Sequence, residues 1–499
     1  MRSVEATTSF GDCPVPASQT SLVVSGRSIA LALILPCLGS LARGQDAAPR
    51  DAAGRATQVQ AGFFTPRRTG QMWDTWLYYH DGTYYQFYLA GPANRWDGHE
   101  LAISDDGVHW IEHGVVLRPR PGVTWMGTGH IWKSPAPDHR HTWLMNYSEW
   151  FGDKQDIMFA ESTDLIHWKK VDEKHRFVQD GRWYKEQGRW DCIDTVARPA
   201  GGLYGYFTAD PDPAKVPHPC CGFGFAESLD GVTWRAMPPV AGDVSGEFGG
   251  IHRIGAKYYL LLSEGRVAVG DRPTGPFHAQ AQNPSAFGTG CDIYFPRFFH
   301  NAPDGPLVNH FYTSGPVFAA PLKAVEVDAN DVLRLKWWPG NEKLKARRLA
   351  TSLVGGTADT VAVRLLDQRL PLDRVHVVEG NLAAARTPSA VGDTEAPVRP
   401  GIYLDHDDGI GAFLVVGQDS VSFGRMKADG SEPKVLQTIG RGLTFGPSPS
   451  FRLVVKHDML ELYMNDYLMN VKRFTWNGRL GVIGGAGRWP TRLDVWQSR

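Results

Sequence analysis

The sequence has no surplus of charge of either sign. Its 499 residues include 52 Lys and Arg and 53 Asp and Glu, and the formal net charge at pH 7 is −1. A nucleic-acid-binding protein needs a basic surplus to neutralise phosphates. A disordered chain has few apolar residues, whereas 42% of this chain is hydrophobic. The composition therefore gives no support to a nucleic-acid partner, and it predicts a globular protein.

Long apolar runs are also scarce. One run, residues 29–35, lies near the N-terminus and is too short to cross a bilayer as a mature helix. Arg27 precedes it, and the small residues Ala42 and Gly44 follow it, which is the order found in a secretory signal. We therefore expect residues 1–44 to be a signal peptide, the mature protein to be secreted or periplasmic, and no segment to span a membrane.

The six cysteines form no CxxC pair and stand near no histidines at the spacing of a metal site. These spacings therefore do not predict a zinc site, and we expect no metal and no cofactor. Four cysteines would remain after cleavage of the signal peptide, and export would permit disulfides among them. The pairing is left open among these four: Cys192, Cys220, Cys221 and Cys291.

Glycine, proline and aromatic residues are plentiful, with 55 Gly, 34 Pro and 17 Trp. Three segments, residues 101–110, 159–168 and 225–234, share one pattern of a short alternating strand, a Ser-x-Asp turn and a Trp. Asp and Gly supply the turn geometry, and Trp supplies packing area. The pattern predicts that Trp110, Trp168 and Trp234 occupy equivalent positions in repeated units.

A second pattern, a hairpin with aromatic strands, occurs five times between about residues 60 and 340. Units of this length, each with a few strands, are typical of a propeller. The fold class predicted is therefore all-β, with a five-bladed β-propeller over residues 60–340. A charged stretch at residues 341–348 follows as a linker, and the strand patterns of residues 350–499 predict a C-terminal β-sandwich.

Several motifs resemble those of the five-bladed propeller glycoside hydrolases, families 32, 43 and 68. Residues 73–88 resemble the first blade of family 32, in which a Trp-x-Asn-Asp-Pro-x-Gly motif precedes a Tyr-rich strand, although the Asn and Pro are absent here. Residues 127–129, Gly-Thr-Gly, are similar to a Ser-Gly-Ser element of the second blade, and residues 96–102 resemble a blade connection. The likeness is closest to family 32, whose members also carry a C-terminal β-sandwich.

The resemblance implies three carboxylates around the propeller axis. Three acids stand eight residues before the glycine of an aromatic hairpin, namely Asp74, Asp194 and Glu247. For the third carboxylate we prefer Asp191, because Arg189-Trp190-Asp191 resembles the Arg-Asp-Pro motif of family 32, and we keep Asp194 beside it. The two residues are three apart on one predicted strand, so regular alternation would let only one of them face the axis.

Other residues are candidates for contact with a sugar. Three tryptophans offer flat surfaces for stacking on a sugar ring, and His130 follows the Gly-Thr-Gly element. Asp292 and Arg297 lie in the fifth predicted blade. The predicted substrate-binding residues are therefore Trp73, Trp125, His130, Trp150, Asp292 and Arg297.

The resemblance, together with the export signal, implies an exported glycoside hydrolase acting on a furanoside carbohydrate, fructan-like or arabinan-like. In a retaining mechanism Asp74 is the nucleophile, Glu247 the acid/base and Asp191 the stabilising carboxylate. One alternative is an inverting arabinofuranosidase or xylosidase similar to family 43, with Asp74 as general base. Another is a non-catalytic carbohydrate-binding propeller. The missing Asn-Asp-Pro and Arg-Asp-Pro motifs favour it, and three acids at matching blade positions argue against it.

Overall fold

The computed structural model describes residues 59–91, 96–123, 125–312, 317–355, 362–382, 400–484, 489 and 493–499. These parts of the chain contain β-strands and three short 3-10 helices, Pro137–His139, Glu173–His175 and Pro339–Leu344. They belong to one compact unit, residues 49–499. The signal peptide expected at residues 1–44 lies outside the described residues. Within the described parts, no helix has the length and apolar character needed to cross a membrane.

Four sheets are β-meanders, in which successive strands pair antiparallel. The first comprises β1 (Gln60–Ala61), β2 (Met72–His80), β3 (Thr83–Ala90), β4 (Gly98–Ser104) and β5 (His109–Leu117), with β1 paired to β5. The second comprises β6 (Trp125–Lys133), β7 (Trp143–Phe151), β8 (Lys154–Ser162) and β9 (Lys169–Lys170). The third comprises β10 (Trp190–Ala197), β11 (Leu203–Ala209), β12 (Gly224–Ser228) and β13 (Arg235–Met237). The fourth comprises β14 (Phe248–Ile254), β15 (Lys257–Leu262), β16 (Val267–Gly270) and β17 (His278–Ala279).

A fifth meander has the same strand order but is not a sheet of its own. It comprises β18 (Ile293–Phe299), β19 (Leu307–Tyr312), β20 (Lys323–Val327) and β21 (Leu333–Trp337). Its last strand pairs with a C-terminal strand, so the meander forms one end of a ten-stranded sheet. The count of five blades therefore stays a prediction, while the propeller-like arrangement of an all-β chain is confirmed.

Apart from the short edge strand β1, the meanders begin with β2, β6, β10, β14 and β18, which are called the first strands below. They contact each other in a cycle, in that order and back to β2. Side-chain amides link neighbouring meanders to this ring. Asn146 on β7 donates to the Ile193 carbonyl and accepts from its N–H, at 2.8 and 3.0 Å. Asn309 on β19 donates to the Thr75 carbonyl at 2.9 Å, which joins the fifth meander to the first. The first strands therefore surround a common axis.

Each of these first strands has a register shift near its beginning. The shifts fall between Trp73 and Thr75, Met126 and Gly129, Asp191 and Asp194, Phe248 and Gly250, and Tyr294 and Arg297. A bulge inserts an extra residue into one strand and changes the direction of the side chains that follow it. The same distortion therefore recurs at the same end of the ring in each meander.

The Ser-x-Asp repeat forms the turns between β4 and β5, β8 and β9, and β12 and β13, as predicted. In the first meander, Asp106 Oδ1 accepts from the N–H groups of Val108 and His109 at 2.9 and 2.8 Å. Asp164 and Asp230 accept the equivalent pairs of bonds in the next two turns. The equivalence of Trp110, Trp168 and Trp234 is confirmed, since each closes this turn. Trp168 packs on Phe87 and Trp234 packs on Trp132, in the preceding meanders.

The C-terminal strands form two sheets packed face to face. They are β22 (Arg347–Leu349), β23 (Leu353–Val354), β24 (Ala362–Leu366), β25 (His376–Asn381), β26 (Gly401–Leu404), β27 (Ile410–Val416), β28 (Ser420–Lys427), β29 (Lys434–Gly440), β30 (Ser450–Lys456), β31 (Met459–Met464), β32 (Tyr467–Arg473), β33 (Leu480–Gly484) and β34 (Leu493–Gln497). One sheet has the order β23-β24-β33-β26-β27-β28-β29, and the other continues the fifth meander through β32-β31-β30-β25-β34-β22. A shared apolar core from both, including Leu414, Leu453 and Val482, lies between them. The sheets are sandwich-like, and the domain boundaries at 340 and 350 stay a prediction.

The four described cysteines, Cys192, Cys220, Cys221 and Cys291, are free thiols.

A buried ion pair lies where the fifth meander meets the C-terminal sheet. Lys323, at the start of β20, donates from Nζ to Glu461 Oε1 on β31 at 2.5 Å and to the Pro321 carbonyl at 2.6 Å. Tyr463 donates to the other Glu461 oxygen at 2.8 Å. Both charged side chains are fully buried. Removing one partner of such a pair leaves an uncompensated charge in a low-dielectric interior.

We expect Lys323→Met to lower the stability of the protein by about 3–5 kcal/mol, because Glu461 then stays buried without its cation. The measurement is urea unfolding at pH 7, followed by tryptophan fluorescence. The control is Lys257→Met, which removes a lysine from an exposed cluster with Asp271 and Asp331 and should barely move the midpoint. Equal shifts for the two variants would contradict a structural role for the buried pair.

Candidate active site

Three of the predicted acids meet where three first strands begin. Asp74 lies on β2, Asp191 on β10 and Glu247 immediately before β14. The Arg189 guanidinium joins two of them, because its Nη2 lies 3.2 Å from Asp191 Oδ2 and also donates to Glu247 Oε1. Asp74 lies close enough to both other carboxylates that their charges, in addition to burial, raise its pKa. The three acids therefore form one cluster around Arg189.

The bulges explain how the acids reach the same place. Asp74 occupies the register shift of β2 and has φ 36°, and Cys192, next to Asp191, has φ 49° in the shift of β10. Residues other than glycine rarely adopt positive φ, and such strain is concentrated at functional sites. The left-handed residue bends each strand at its beginning, which re-aims its own carboxylate in β2 and that of the preceding residue in β10.

Polar contacts support Asp191 from the second meander. Ser148 Oγ donates to Asp191 Oδ1 at 2.6 Å, and Gln155 Nε2 donates to Ser148 Oγ at 2.8 Å. Gly127, of the Gly-Thr-Gly element, lies against this pair. A Cβ there would collide with Ser148 Oγ and come within 2.9 Å of Asp191 Oδ1. A glycine at 127 thus leaves room for the carboxylate.

Asp74 is the carboxyl group whose protonation the site changes most. Burial and then the charge of Glu247 raise its pKa from the ordinary 3.8 to about 8, although Arg297 opposes them. Its Oδ1 is buried and has no hydrogen-bond partner among the described residues. Asp74 is therefore protonated at neutral pH, and its Oδ1 is a buried acceptor without a described donor.

Glu247 lies nearer the solvent, with its side chain 15% exposed. Tyr294 on β18 donates its hydroxyl to Glu247 Oε2, while Arg189 donates to Oε1. Burial and the Glu247 carboxylate raise the pKa of Tyr294, so its hydroxyl stays protonated as a donor. Both oxygens of Glu247 thus have partners, at the mouth of the cluster.

Asp194 is not brought to these three acids. Its carboxylate lies 2.9 Å from His130 Nε2 and 2.9 Å from His300 Nε2, and it accepts from the Ile251 N–H at 2.9 Å. Burial alone would raise the pKa of Asp194, but the two histidines outweigh it and hold the pKa well below its ordinary value. His130, predicted to line the site, therefore belongs to this second cluster.

The predicted alternation of Asp191 and Asp194 is wrong. Asp191 pairs with Thr208 and Asp194 with Tyr206, so three steps on β10 match two on β11. The extra residue cancels the change of face that three regular steps would produce. Both carboxylates consequently contact residues of other meanders, Asp191 near the beginning of the strand and Asp194 farther along it.

The predicted tryptophans surround the mouth to different degrees. Trp73 is half-buried, stacks on Trp96 with ring centroids 6.1 Å apart, and packs against Phe311 at 4.8 Å. Trp125 is 47% exposed and meets Trp96 edge-on. Trp150 is paired with Trp125 across β6 and β7. Trp125 is thus the one of these three that offers an open ring face, while Trp73 mainly packs.

Arg297 and Asp292, predicted to contact substrate, have different surroundings. Arg297 is 1% exposed, donates from Nη1 to the Gly129 carbonyl, and has no described partner for Nε and Nη2. Burial has the largest effect on the pKa of Asp74 and of His130, and the charge of Arg297 lowers both. Arg297 is therefore a buried cation between the two clusters. The Asp292 carboxylate instead accepts from the Arg473 N–H at 2.8 Å, which turns it toward the C-terminal sheet.

Sequence reasoning missed several residues of these clusters. Ser148 and Tyr294 stand in no motif that marks them. His252 and His300 carry a signal that could have been used, since they lie at the far ends of two first strands, as His130 lies on a third.

The raised pKa of Asp74 makes the free energy of unfolding pH-dependent. The folded protein holds this proton up to about pH 8, whereas the unfolded chain releases it near 3.8. Stability contributed at low pH is therefore lost as the pH rises between these values. We expect Asp74→Asn to be more stable than the wild type at pH 9, by several kcal/mol at about 1.4 kcal/mol per pKa unit, and to lose most of this advantage near pH 4.5.

The measurement is urea unfolding of both proteins at the two pH values. Asp105→Asn, in an exposed turn, makes the same change of formal charge and should show no such trend. An advantage of Asp74→Asn that is equal at both pH values would contradict the pKa.

Comparisons with known proteins show what the fold resembles. No protein-family model matches the chain, and no curated protein does either. Among solved structures, a β-fructofuranosidase from Schwanniomyces occidentalis complexed with fructosyl-erythritol aligns with a TM-score of 0.63 at 14% identity, covering 88% of this chain and 97% of that one. A sucrose-6-phosphate hydrolase from Lactobacillus gasseri aligns at 0.64 and 15%, covering 88% and 93%.

A glycoside hydrolase of family 32 from Bifidobacterium adolescentis aligns with a TM-score of 0.63 at 13% identity, covering 89% of this chain and 81% of that one. The predicted resemblance to the propeller glycoside hydrolases is thus confirmed at the level of the fold.

Proposed function

We propose that this protein is a glycoside hydrolase that cleaves a furanoside bond with Asp74, Asp191 and Glu247. The observation that carries the proposal is the meeting of these three acids, from three first strands, around one arginine. The fold it shares with fructofuranosidases and a sucrose-6-phosphate hydrolase supports a fructan-like furanoside as substrate. A carbohydrate-binding protein without catalysis would have no need of three carboxylates beside one another, two of them buried.

The proposal includes five blades, with β18–β21 as the fifth. The closed cycle of contacts among β2, β6, β10, β14 and β18 supports this count. So does the register shift that all five first strands share. The reaction would take place at the end of the axis where these shifts lie.

The roles follow from the surroundings of each acid. Glu247, at the mouth and hydrogen-bonded by Tyr294 and Arg189, is the acid/base that protonates the leaving oxygen. Asp74, deeper and with one unpartnered oxygen, is the nucleophile that attacks the anomeric carbon. Asp191 is held by Ser148 and accepts hydrogen bonds from the sugar hydroxyls.

This assignment requires a proton to move before the bond is cleaved. The raised pKa of Asp74 places the proton on the nucleophile, whereas the reaction needs it on Glu247. Transfer from Asp74 to Glu247 leaves the total charge of the cluster unchanged. Asp74 then attacks as Glu247 gives up the proton, and in the second step Glu247 takes a proton from the water that releases the sugar.

We also propose that the protein is exported, on the order of charges, apolar run and small residues at positions 27–44. A separate proposal concerns the C-terminal sheets, which support the propeller through the sheet that they share with its fifth meander.

We expect Glu247→Gln to slow the cleavage of alkyl furanosides by about 10²–10⁴-fold, because no acid then protonates the leaving oxygen. Aryl furanosides with an activated leaving group should be affected much less. Asp74→Asn should abolish the cleavage of both. The measurement is kcat/KM of the full chain on a matched pair of alkyl and nitrophenyl furanosides.

The control is Glu264→Gln, an exposed acid in the same meander, which should keep full activity. Full activity of Asp74→Asn on the best substrate would overturn the assignment of the nucleophile. If the wild type cleaves no furanoside or pyranoside yet binds an oligosaccharide in calorimetry, the binding-propeller alternative replaces the hydrolase.

The stereochemistry tests the mechanism separately. We expect the first-formed sugar to keep its anomeric configuration, because a covalent intermediate on Asp74 gives two inversions. Proton NMR of the anomeric signals during the first minutes of hydrolysis measures this directly. A first product of opposite configuration would instead assign Asp74 as the general base of an inverting enzyme similar to family 43.

A further inference from the structure

The cluster around Asp194 has no part in the proposed hydrolysis. It gathers side chains from four first strands: His130 from β6, Asp194 from β10, His252 from β14, and His300 directly after β18. These elements are far apart in sequence, and they meet because the ring closes. His130 and Asp194 are buried and His300 is half-buried. Three histidines with one carboxylate at the axis require an explanation of their own.

The geometry of the donor atoms suits a cation. The ligand atoms of His130, Asp194 and His300 all lie within 4.8 Å of one another. Each Nε2 lies 2.9 Å from the carboxylate. Two imidazoles with one carboxylate are a donor set that zinc and similar divalent ions prefer. Small movements of the side chains would open these contacts to the spacing of ligands around one ion.

Hydrogen bonds from neighbouring groups hold the candidate ligand side chains in position. The Asp194 carboxylate accepts from the Thr195 and Ile251 N–H groups at 2.7 and 2.9 Å. His252 Nδ1 lies 2.8 Å from His300 Nδ1, so one of the two nitrogens must donate. When His300 donates, its Nε2 keeps a lone pair that faces Asp194 and can bind a cation. Metal-binding histidines are commonly fixed in this way by a hydrogen bond from the other nitrogen.

We propose that His130 Nε2, His300 Nε2 and the Asp194 carboxylate bind one divalent transition-metal ion of the zinc type, with His252 orienting His300. The ion ties together β6, β10 and β18, which belong to three different meanders. The positive charge of Arg297 lies close to His130 and therefore repels the bound ion. The histidines are spread over 170 positions of the chain, from 130 to 300, which is why sequence spacing predicts no metal site.

The test uses the purified full chain, stripped with EDTA and dialysed. Zinc binding is measured by isothermal titration calorimetry, and Co²⁺ binding by visible absorption, since neither readout requires a glycoside. We expect one equivalent per chain. His130→Ala and His300→Ala should weaken binding at least 100-fold, and His252→Ala, which removes a positioning residue, about 10–100-fold. The melting temperature of the wild type should rise with zinc, and that of His300→Ala should not.

The matched control is His278→Ala, since His278 also contacts an aspartate, Asp243, at 3.0 Å, but in an exposed position. It should bind zinc like the wild type. If the alanine variants do not fold, X-ray absorption on the zinc-loaded wild type decides, with about two imidazole nitrogens expected near 2.0 Å. Binding that is absent in the wild type, unchanged in His130→Ala and His300→Ala, or free of imidazole ligands would overturn the site and leave a hydrogen-bonded network. Activity on furanosides is measured separately, so either proposal can fail without the other.

Discussion

The register shift at the start of each first strand is the constraint on which the rest of the molecule depends. In a regular strand, side chains alternate between faces, so only every second residue can point toward the axis. The extra residue in β10 puts both Asp191 and Asp194 on the inner side. The shift in β2 places Asp74 at its bend, with φ 36°. One repeated distortion therefore creates two clusters at different depths of the same ring.

The two clusters differ in how they balance their charges. Near the mouth, Arg189 lies between three acids. Burial alone would lower the pKa of Arg189, but the negative charges of Asp191 and Glu247 outweigh burial and raise it. Asp74 lacks such a direct partner, which is why burial leaves it protonated. Farther along, Asp194 has two histidines and two backbone N–H groups, so it remains ionised. Identical side chains thus acquire opposite protonation states from their neighbours.

The ring also depends on the C-terminal sheets. The fifth meander continues through β21 and β32 into the ten-stranded sheet, and Lys323 and Glu461 are buried as a pair beside this connection. The Asp292 carboxylate binds the Arg473 N–H from the same side. β18 follows Asp292 directly and carries Tyr294 and Arg297, which lie beside the acids. The contacts of Asp292 with the C-terminal sheet therefore help to position these two residues.

Local chemistry in the sequence was enough to predict the turns, the all-β class and the resemblance of fold. The Ser-x-Asp turn bonds within a few residues, so its pattern can be recognised without knowing the fold. Asp74 and Glu247 precede the glycine of their hairpins by the same number of residues and lie in one cluster, but Asp194, at the same offset, lies in the other. The predicted alternation was wrong for Asp191 and Asp194, because one extra residue moves every following side chain to the opposite face of the sheet. No residue type in the sequence indicates where such an insertion occurs.

Only the tertiary structure decided which acid joins which cluster. Asp194 meets His130 and His300, and Arg189 meets Glu247, through contacts between different meanders. Such neighbours are determined by closure of the ring, which no local pattern encodes. The merging of the fifth meander with the C-terminal sheet has the same cause, because an edge strand can pair with any exposed strand that the folded chain brings beside it.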